Sequence, residues 1–188
     1  MDLAWGDPRT GKFVTNIGLI TSSGPHGDNI MAAEWTHYVS YAPGLIMVNI
    51  GPRKATLENI LKSKEFGVSI AADDQNVVAS VAGGSSGRDT NKISALKRLG
   101  TKFYKAKKID VLMVEGAAMN AECRLVESRP LGDHVMIVGE VVEISAGKKE
   151  PLVYSDGIYL HKGKPVAKPT QVEREKINEV VQASSKAR

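Results

Sequence analysis

The stretch NIMAAEWTHYVSYAPGLIMVNIGPRKAT, residues 29–56, decides the fold prediction because it joins small residues, two strand patterns and a basic loop. Ala32 and Ala33 are small enough for a flat aromatic ligand to approach the main chain. A helix start at Thr56, just after Arg53, offers N–H groups and positive charge to a phosphate. The stretch alone fits two interpretations: a site with a ring at one end and a phosphate at the other, or an ordinary hairpin followed by a capped helix.

Composition limits the class of protein. The chain has 188 residues, of which 42% are hydrophobic and 24% are charged, as is typical of one soluble globular domain. Its net charge of +4 is spread along the sequence, so we expect no nucleic-acid partner. No apolar run reaches roughly 18 residues, so we expect no membrane span, and the N-terminus lacks the pattern of a signal peptide. The single cysteine, Cys123, excludes an intrachain disulfide and fits a cytoplasmic location.

Short strand patterns dominate the chain. We expect strands at 13–22, 29–40, 45–50, 66–71, 111–114, 118–126, 134–144 and 152–160. Helical spacing predicts helices at 54–64, at 74–82, from the end of the loop 85–89 to Leu99, and at 169–183. A doubly wound α/β sheet would need strand–helix alternation throughout, which the β-rich second half lacks. The pattern therefore predicts a mainly β fold, a barrel of about six antiparallel strands with inserted helices and a C-terminal helix.

One domain is expected over residues 1–188. Its predicted appendages are a loose N-terminal arm at 1–12, anchored by Trp5, and the C-terminal helix with its tail at 169–188, where the last residues fray. Arg129-Pro130-Leu131-Gly132 is expected to form a hairpin turn.

Two further motifs carry possible chemistry. Three glycines and two serines at 83–89, followed by Lys92, make a loop whose N–H groups can turn toward an anion, or simply a flexible connector. His134, next to Asp133, is either a proton donor or ligand contact, or a strand residue beside a turn. The histidines lack metal-ligand spacing, so no metal site is predicted. Cys123 lies in an alternating strand pattern, where a buried, inert thiol is expected.

Taken in order along the chain, these motifs resemble the flavin reductase-like family, whose members adopt the FMN-binding split β-barrel. The resemblance covers residues 13–160 and is strongest to the flavoredoxin-type branch. The matching motifs are Asn29-x-Met31-Ala32-Ala33-x-Trp35, Ser40-x-x-Pro43, Gly51…Thr56-x-x-Asn59-Ile60, Gly83-x-Ser85-Ser86-Gly87-Arg88-Asp89-x-x-Lys92 and Gly132-Asp133-His134-x-x-x-x-Gly139-Glu140-Val141.

The resemblance implies a role for each matching position. His134 is expected to face the nicotinamide or substrate side of the flavin. The expected FMN contacts are Asn29, Met31, Ala32, Ala33 and Trp35 along the isoalloxazine ring, Ser40, Arg53, Thr56 and Asn59 toward the ribityl chain and phosphate, and Ser85, Ser86, Gly87 and Lys92 in a loop that closes over the cofactor. Family members are similar in being homodimers with FMN near the subunit interface, so both chains are expected to line a site.

The resemblance also implies the activity. We expect an oxidoreductase that passes electrons from NADH or NADPH through FMN to a small-molecule or protein acceptor. The alternative is an FMN-binding electron carrier, a flavoredoxin, without NAD(P)H activity of its own. A third interpretation is a split-barrel relative that binds a pyridoxal-type phosphate or haem.

Overall fold

The computed structural model describes residues 1–3 and 6–185 of the chain. The strands of this part are β1 (Thr15–Asn16), β2 (Gly18–Ser22), β3 (Asn29–Ala33), β4 (Thr36–Tyr41), β5 (Gly44–Ile50), β6 (Glu65–Ile70), β7 (Phe103–Lys105), β8 (Leu112–Val114), β9 (Met119–Leu131), β10 (His134–Ala146), β11 (Val153–Ser155) and β12 (Ile158–Leu160). The helices are α1 (Ala55–Ser63), α2 (Asn76–Gly84), α3 (Lys92–Arg98) and α4 (Gln171–Ala183), preceded by a 3-10 turn at Thr10–Lys12. The predicted anchor Trp5 and the predicted frayed residues 186–188 lie outside the described residues.

The main sheet closes into a barrel. Its seven antiparallel strands follow the order β3-β2-β6-β9-β10-β5-β4, so β3 and β4 lie at opposite edges. Only Glu34 and Trp35 separate these two strands in sequence, and so short a connection spans about 11 Å at most. The sheet must therefore curl until its edges meet, and the Asn49 N–H donates to the Trp35 carbonyl oxygen across the closure at 3.1 Å. The predicted mainly β barrel with a C-terminal helix is confirmed.

Three of the predicted strands are each divided in two. Segment 13–22 breaks at Ile17, because β1 pairs with β11 while β2 belongs to the barrel. Segment 29–40 breaks at the barrel closure. Segment 152–160 folds back on itself through Asp156 and Gly157, both of which have positive φ angles. Residue periodicity locates extended chain, but it does not show where the chain leaves one sheet for another.

The hairpin between β9 and β10 turns later than predicted. Residues 129–131 belong to β9 and pair with residues 134–136 of β10. The turn itself is Gly132-Asp133, where Gly132 has φ = 56°, a conformation that glycine adopts easily. The sequence also gave no signal for β7, which forms a small ribbon with β8.

Two apolar clusters hold the body together. One fills the barrel, where Gly139 lies so close to Phe66 that an added Cβ would come within 2.5 Å of the ring. The other packs α2 and α3 against the outer face of β2 and β3. Cys123 is fully buried in the barrel, as predicted, and burial raises the pKa of its thiol to about 12. Within residues 1–3 and 6–185, no helix has the length and apolar character needed to cross a membrane.

Candidate functional site

Three predicted site residues meet at one end of β3, and we call them the phosphate-end cluster: Asn29, Thr56 and Gly87. The Asn29 side-chain N–H donates to Thr56 Oγ1 at 2.8 Å, and both residues are buried. Gly87 packs directly on the Asn29 amide, since a Cβ at position 87 would overlap Asn29 Oδ1. The cluster thus brings together the start of β3, the start of α1 and the glycine-serine loop, which lie far apart in sequence.

The start of α1 differs from the prediction. Lys54, not Thr56, is the residue before the first helical turn, and no side chain caps that end. Thr56 instead lies inside the first turn, where its hydroxyl faces Asn29. The first N–H groups of a helix have no partner within the helix. With Arg53 and Lys54 exposed beside it, this end of α1 is suited to bind an anion.

Lys92 supplies a buried positive charge next to this end. Its Nζ donates to the Ala82 carbonyl oxygen at 2.9 Å and to the Ser85 carbonyl oxygen at 3.2 Å. Burial is the main cause that lowers the pKa of Lys92 to about 8, and the charge of Lys54 lowers it further. In the described part of the chain, no carboxylate contributes to the pKa of Lys92 in the opposite direction. An anion bound near Lys54 and Lys92 would therefore relieve their repulsion.

The glycine-serine loop is fastened to α1 by Arg88. The Arg88 Nε–H donates to the Arg53 carbonyl oxygen at 3.0 Å, and its guanidinium pairs with Glu58. Ser85 and Ser86 are exposed: Ser85 offers its carbonyl oxygen to Lys92, while Ser86 Oγ accepts from the Arg88 N–H at 3.1 Å. The loop therefore lies over the start of α1, where the sequence placed a closing loop.

Asn59 holds the turn before β3. Its Nδ2 donates to the Gly27 carbonyl oxygen at 2.9 Å and to Ser22 Oγ at 3.2 Å, while its Oδ1 accepts from the His26 N–H at 3.0 Å. Both N–H donors of this amide are thus occupied within the protein. Asn59 was expected to contact FMN, but the structure gives it the task of positioning the segment that leads into Asn29.

The other end of the site holds Trp35 and His134. Their ring centroids lie 4.6 Å apart with the planes inclined at 46°, and Trp35 is 47% exposed. His134 Nδ1 lies 2.7 Å from Asp133 Oδ1, and this hydrogen bond is the main cause that lowers the pKa of Asp133. When Nδ1 of a neutral imidazole donates to a carboxylate, Nε2 is left as an acceptor. The sequence placed the two residues in one site, and the structure brings them into contact.

Asn49 lies at the same end of the site as Trp35, and the sequence did not predict it as a site residue. Asn49 pairs with Met136 on β10, so the two side chains lie on the same face of the sheet. Its main-chain N–H donates to the Trp35 carbonyl oxygen. Its Oδ1 is buried without a hydrogen-bond partner among the described residues, and such orphan acceptors are costly unless a ligand or water supplies a donor. The signal was available, since Asn49 is the one polar residue in the apolar run LIMVNI.

Between the two ends, β3 offers its main chain. Met31 and Ala33 bury their side chains in the barrel, and Ala32 faces α2 beside Gly83. β3 lies at an edge of the sheet and, among the described strands, pairs only with β2; an edge strand presents alternate N–H and C=O groups on the side that has no partner strand. From Asn29 to Trp35 the extended chain covers about 20 Å.

Ser40 does not join the phosphate end. It pairs with Leu45 at the beginning of β5, whereas Arg53 and Thr56 follow the end of that strand at Ile50. The five residue-to-residue steps from Leu45 to Ile50 cover about 16 Å. Within one chain, the register of β4 on β5 therefore separates Ser40 from Arg53 and Thr56, and a contact of Ser40 with the cofactor stays a prediction.

A cofactor that carries a flat ring at one end and a phosphate at the other would suit this arrangement, which has a cationic helix start at one end of β3 and the Trp35–His134 pair at the other. Residues 10–162 match the family described as flavin reductase like domain, and the chain belongs to that family. It is 28% identical over 155 residues to an NADH-dependent flavin reductase of Rhodococcus sp, covering 79% of this chain and 80% of the relative.

Two further comparisons agree. An uncharacterized protein of Pyrococcus abyssi is 32% identical over 119 residues, which cover 62% of this chain and 66% of that protein, just under two thirds of its length. Among solved structures, flavin reductase PheA2 in its native state aligns with a TM-score of 0.72 and 27% identity, over 87% of this chain and 100% of that one.

Proposed function

We propose that this protein is an FMN-binding flavin reductase that takes hydride from NADH and passes electrons to a small-molecule or protein acceptor. The observation that carries the proposal is the placement of a cationic helix start at one end of β3 and of the Trp35–His134 pair at the other. The name of the Rhodococcus relative supports flavin chemistry with NADH as donor, and the name of a relative from Agrobacterium fabrum, FMN reductase (NADH) SmoA, supports FMN. A cytoplasmic location fits the single free thiol, Cys123.

At the phosphate end, the residues present fit an anionic group. The uncapped start of α1 offers N–H groups, while Lys54 and Lys92 offer two positive charges. Gly87 leaves the space that a larger side chain would fill against Asn29. We assign the FMN phosphate to this end because its negative charge would relieve the repulsion between the two lysines.

At the ring end, the role of the protein is to position the flavin and the hydride donor. The flavin supplies the redox chemistry when it is bound, and the protein supplies orientation and electrostatics. Edge strand β3 offers main-chain hydrogen bonds, and Asn49 Oδ1 offers an unused acceptor. His134, whose Nδ1 contacts Asp133, would offer Nε2 as an acceptor to a nicotinamide that approached beside Trp35. We therefore assign His134 as a positioning residue for the hydride donor rather than an acid or base.

Replacing His134 by alanine should slow the reduction of bound FMN by NADH about tenfold and raise the KM for NADH, because one hydrogen bond that orients the donor is lost. The dissociation constant for FMN should change less than threefold or so, since the phosphate end is untouched. Anaerobic stopped-flow absorbance of the flavin band measures the reduction, and fluorescence titration measures FMN binding.

His161→Ala is the matched control, because His161 also pairs with an aspartate, Asp73, but is exposed and away from Trp35. It should reduce FMN at the wild-type rate. If the wild-type protein binds FMN but neither NADH nor NADPH bleaches it, the protein is an electron carrier and not a reductase. A purified protein that takes up no FMN at all would instead favour a pyridoxal-type phosphate or haem.

We further propose that two copies of the chain associate through α4. No residue of this 13-residue helix is buried, and its apolar stripe includes Ile177, Val180 and Val181. A helix of this length is marginal in water without a packing partner, although a capping box at Thr170 helps it to start. A second copy is the occupant we favour because β4 also exposes apolar side chains, among them Tyr41 at 86%.

The double substitution Val180→Glu and Val181→Glu should shift the protein from dimer to monomer, because it places two charges in the apolar stripe. Light scattering coupled to gel filtration measures the change, with a protomer of 20.2 kDa as the reference mass. Gln171→Glu and Gln182→Glu add the same charge on the polar side of α4 and should leave the dimer intact. A wild-type protein that is monomeric, or a dimer that survives the double substitution, would contradict the proposal.

A further inference from the structure

Glu58 is not among the predicted site residues, yet it contacts two segments that carry them. It lies in the first turn of α1, and its side chain is 45% exposed. His26 Nε2 lies 2.6 Å from Glu58 Oε2, and the Arg88 guanidinium pairs with Oε1, the other carboxylate oxygen. One side chain therefore joins both the turn before β3 and the glycine-serine loop to the start of α1.

Both residues that contact Glu58 are close in sequence to the phosphate-end cluster. Arg88 directly follows Gly87, and an added Cβ at Gly87 would overlap the Asn29 amide. His26 lies three residues before Asn29 in the turn that leads into β3. Each contact of the Glu58 carboxylate thus holds one side of the close approach between Gly87 and Asn29.

The two segments have further hydrogen bonds, but these act on each segment separately. The Arg88 Nε–H donates to the Arg53 carbonyl oxygen at 3.0 Å, which fastens the loop. The His26 main-chain N–H donates to Asn59 Oδ1 at 3.0 Å, which fastens the turn. Of these contacts, only those of Glu58 reach both segments, so its carboxylate sets the spacing between them.

The charge of Glu58 by itself would disfavour an anion at the phosphate end. The contact with His26 is the main cause that lowers the pKa of Glu58, and Arg88 lowers it further, so the carboxylate is charged at neutral pH. A phosphate bound near the first turn of the same helix would be repelled by this charge. Any benefit of Glu58 to a bound phosphate must therefore come through its two contacts.

We propose that Glu58 is a positioning residue for the flavin phosphate: through His26 and Arg88 it holds the turn and the loop at the spacing that the phosphate-end cluster requires. This role rests on the proposed flavin site. The competing possibility is that Arg88 binds the phosphate directly and that Glu58 draws it away. The two possibilities predict opposite results, because removal of the carboxylate would then free Arg88 and tighten FMN binding.

The deciding variant is Glu58→Gln, whose side chain keeps its shape and loses its charge. It should weaken FMN binding about fivefold, the upper end for a partly exposed ion pair. Binding of riboflavin, which lacks the phosphate, should keep its wild-type affinity. Fluorescence titrations of the full chain with the two flavins measure both dissociation constants. A general loss of structure would weaken both flavins alike, whereas a role at the phosphate end weakens FMN alone.

A double-mutant cycle separates positioning from direct binding by Arg88. Arg88→Gln should weaken FMN about as much as Glu58→Gln, and the double variant should lose less than the product of the two single losses, because both changes break one shared contact. Fully multiplicative losses would show that Arg88 reaches the phosphate without Glu58, and would overturn the proposal. If riboflavin binds too weakly to titrate, this cycle decides.

Glu65→Gln is the matched control. The Glu65 carboxylate also holds a loop, since it accepts from the Asp110 N–H at 2.9 Å and pairs with Arg124, but that loop carries no predicted flavin contact. This variant should bind FMN as the wild-type protein does.

FMN binding at or above wild-type strength in Glu58→Gln would overturn the proposal, as would equal losses for FMN and riboflavin. If Glu58→Gln does not fold, as judged by circular dichroism, His26→Gln takes its place, because it breaks one of the two contacts and should likewise weaken FMN but not riboflavin. Failure of the proposed flavin site is distinct, because the wild-type protein would then bind neither flavin.

Discussion

Replacing Gly87 by alanine should lower the affinity for FMN about 30-fold while the protein stays folded. A Cβ at this position would overlap Asn29 Oδ1, and Asn29 is buried and cannot swing into solvent. Either the loop moves outward or the Asn29–Thr56 hydrogen bond breaks and leaves a buried amide unsatisfied, at a cost of about 2 kcal/mol. That energy corresponds to about 30-fold in a dissociation constant. Fluorescence titration with FMN measures it.

Gly84→Ala is the matched control. Gly84 is close to the same loop, and an added Cβ there meets no atom within 4 Å. Neither glycine has a φ angle in the left-handed region, so alanine strains neither backbone and the two variants differ only in what the new methyl group meets. FMN affinity equal to wild type in Gly87→Ala would show that the cofactor does not depend on the phosphate-end cluster. An equal loss in both variants would point to the loop main chain instead.

Much of this site was predictable because the family pattern keeps its residues in order along the chain. Asn29, Thr56 and Gly87 were predicted as separate cofactor contacts, and the structure joins them through one hydrogen bond and one close approach. Trp35 and His134 were likewise predicted separately and lie ring against ring. Residue type and order were sufficient here, because Asn29, Thr56 and His134 lie at or next to the start of an element, and Trp35 and Gly87 lie in short connections between elements.

The errors share a physical origin. The separation of Ser40 from Arg53 and Thr56 was not expected, because strand register depends on pairing between distant residues, which no local pattern reports. Asn59 was taken for a ligand contact because its type suits one, but its hydrogen bonds go to the turn at 22–27. Barrel closure divided the segment 29–40 for the same reason, since β3 and β4 belong to opposite edges of one sheet. Burial and long-range pairing, rather than residue type, decide these positions.

Replacing Lys92 by methionine should lower FMN affinity about 30-fold at pH 7, because a charge-assisted contact with the phosphate contributes about 2 kcal/mol. The pH dependence should change as well. The pKa of Lys92 in the empty protein is about 8, so above that pH the lysine is neutral and must take up a proton to meet the phosphate. Wild-type affinity should therefore fall as pH rises from 8 toward 10, whereas the methionine variant should show no such fall. Titrations across this range measure both effects.

The stability of the empty protein should depend on pH in the opposite direction to the affinity for FMN, so the two effects of Lys92 can be distinguished. A lysine in the unfolded chain titrates near about 10.4, so between pH 8 and that value the unfolded state binds more protons than the folded state, whose Lys92 has a pKa of about 8. Stability without FMN should therefore rise with pH over this window in the wild-type protein and stay level in Lys92→Met. Lys62→Met removes an exposed lysine from α1 and should alter neither curve. A wild-type affinity that stays constant from pH 7 to 10 would place the phosphate away from Lys92, even if the stability curve behaves as expected.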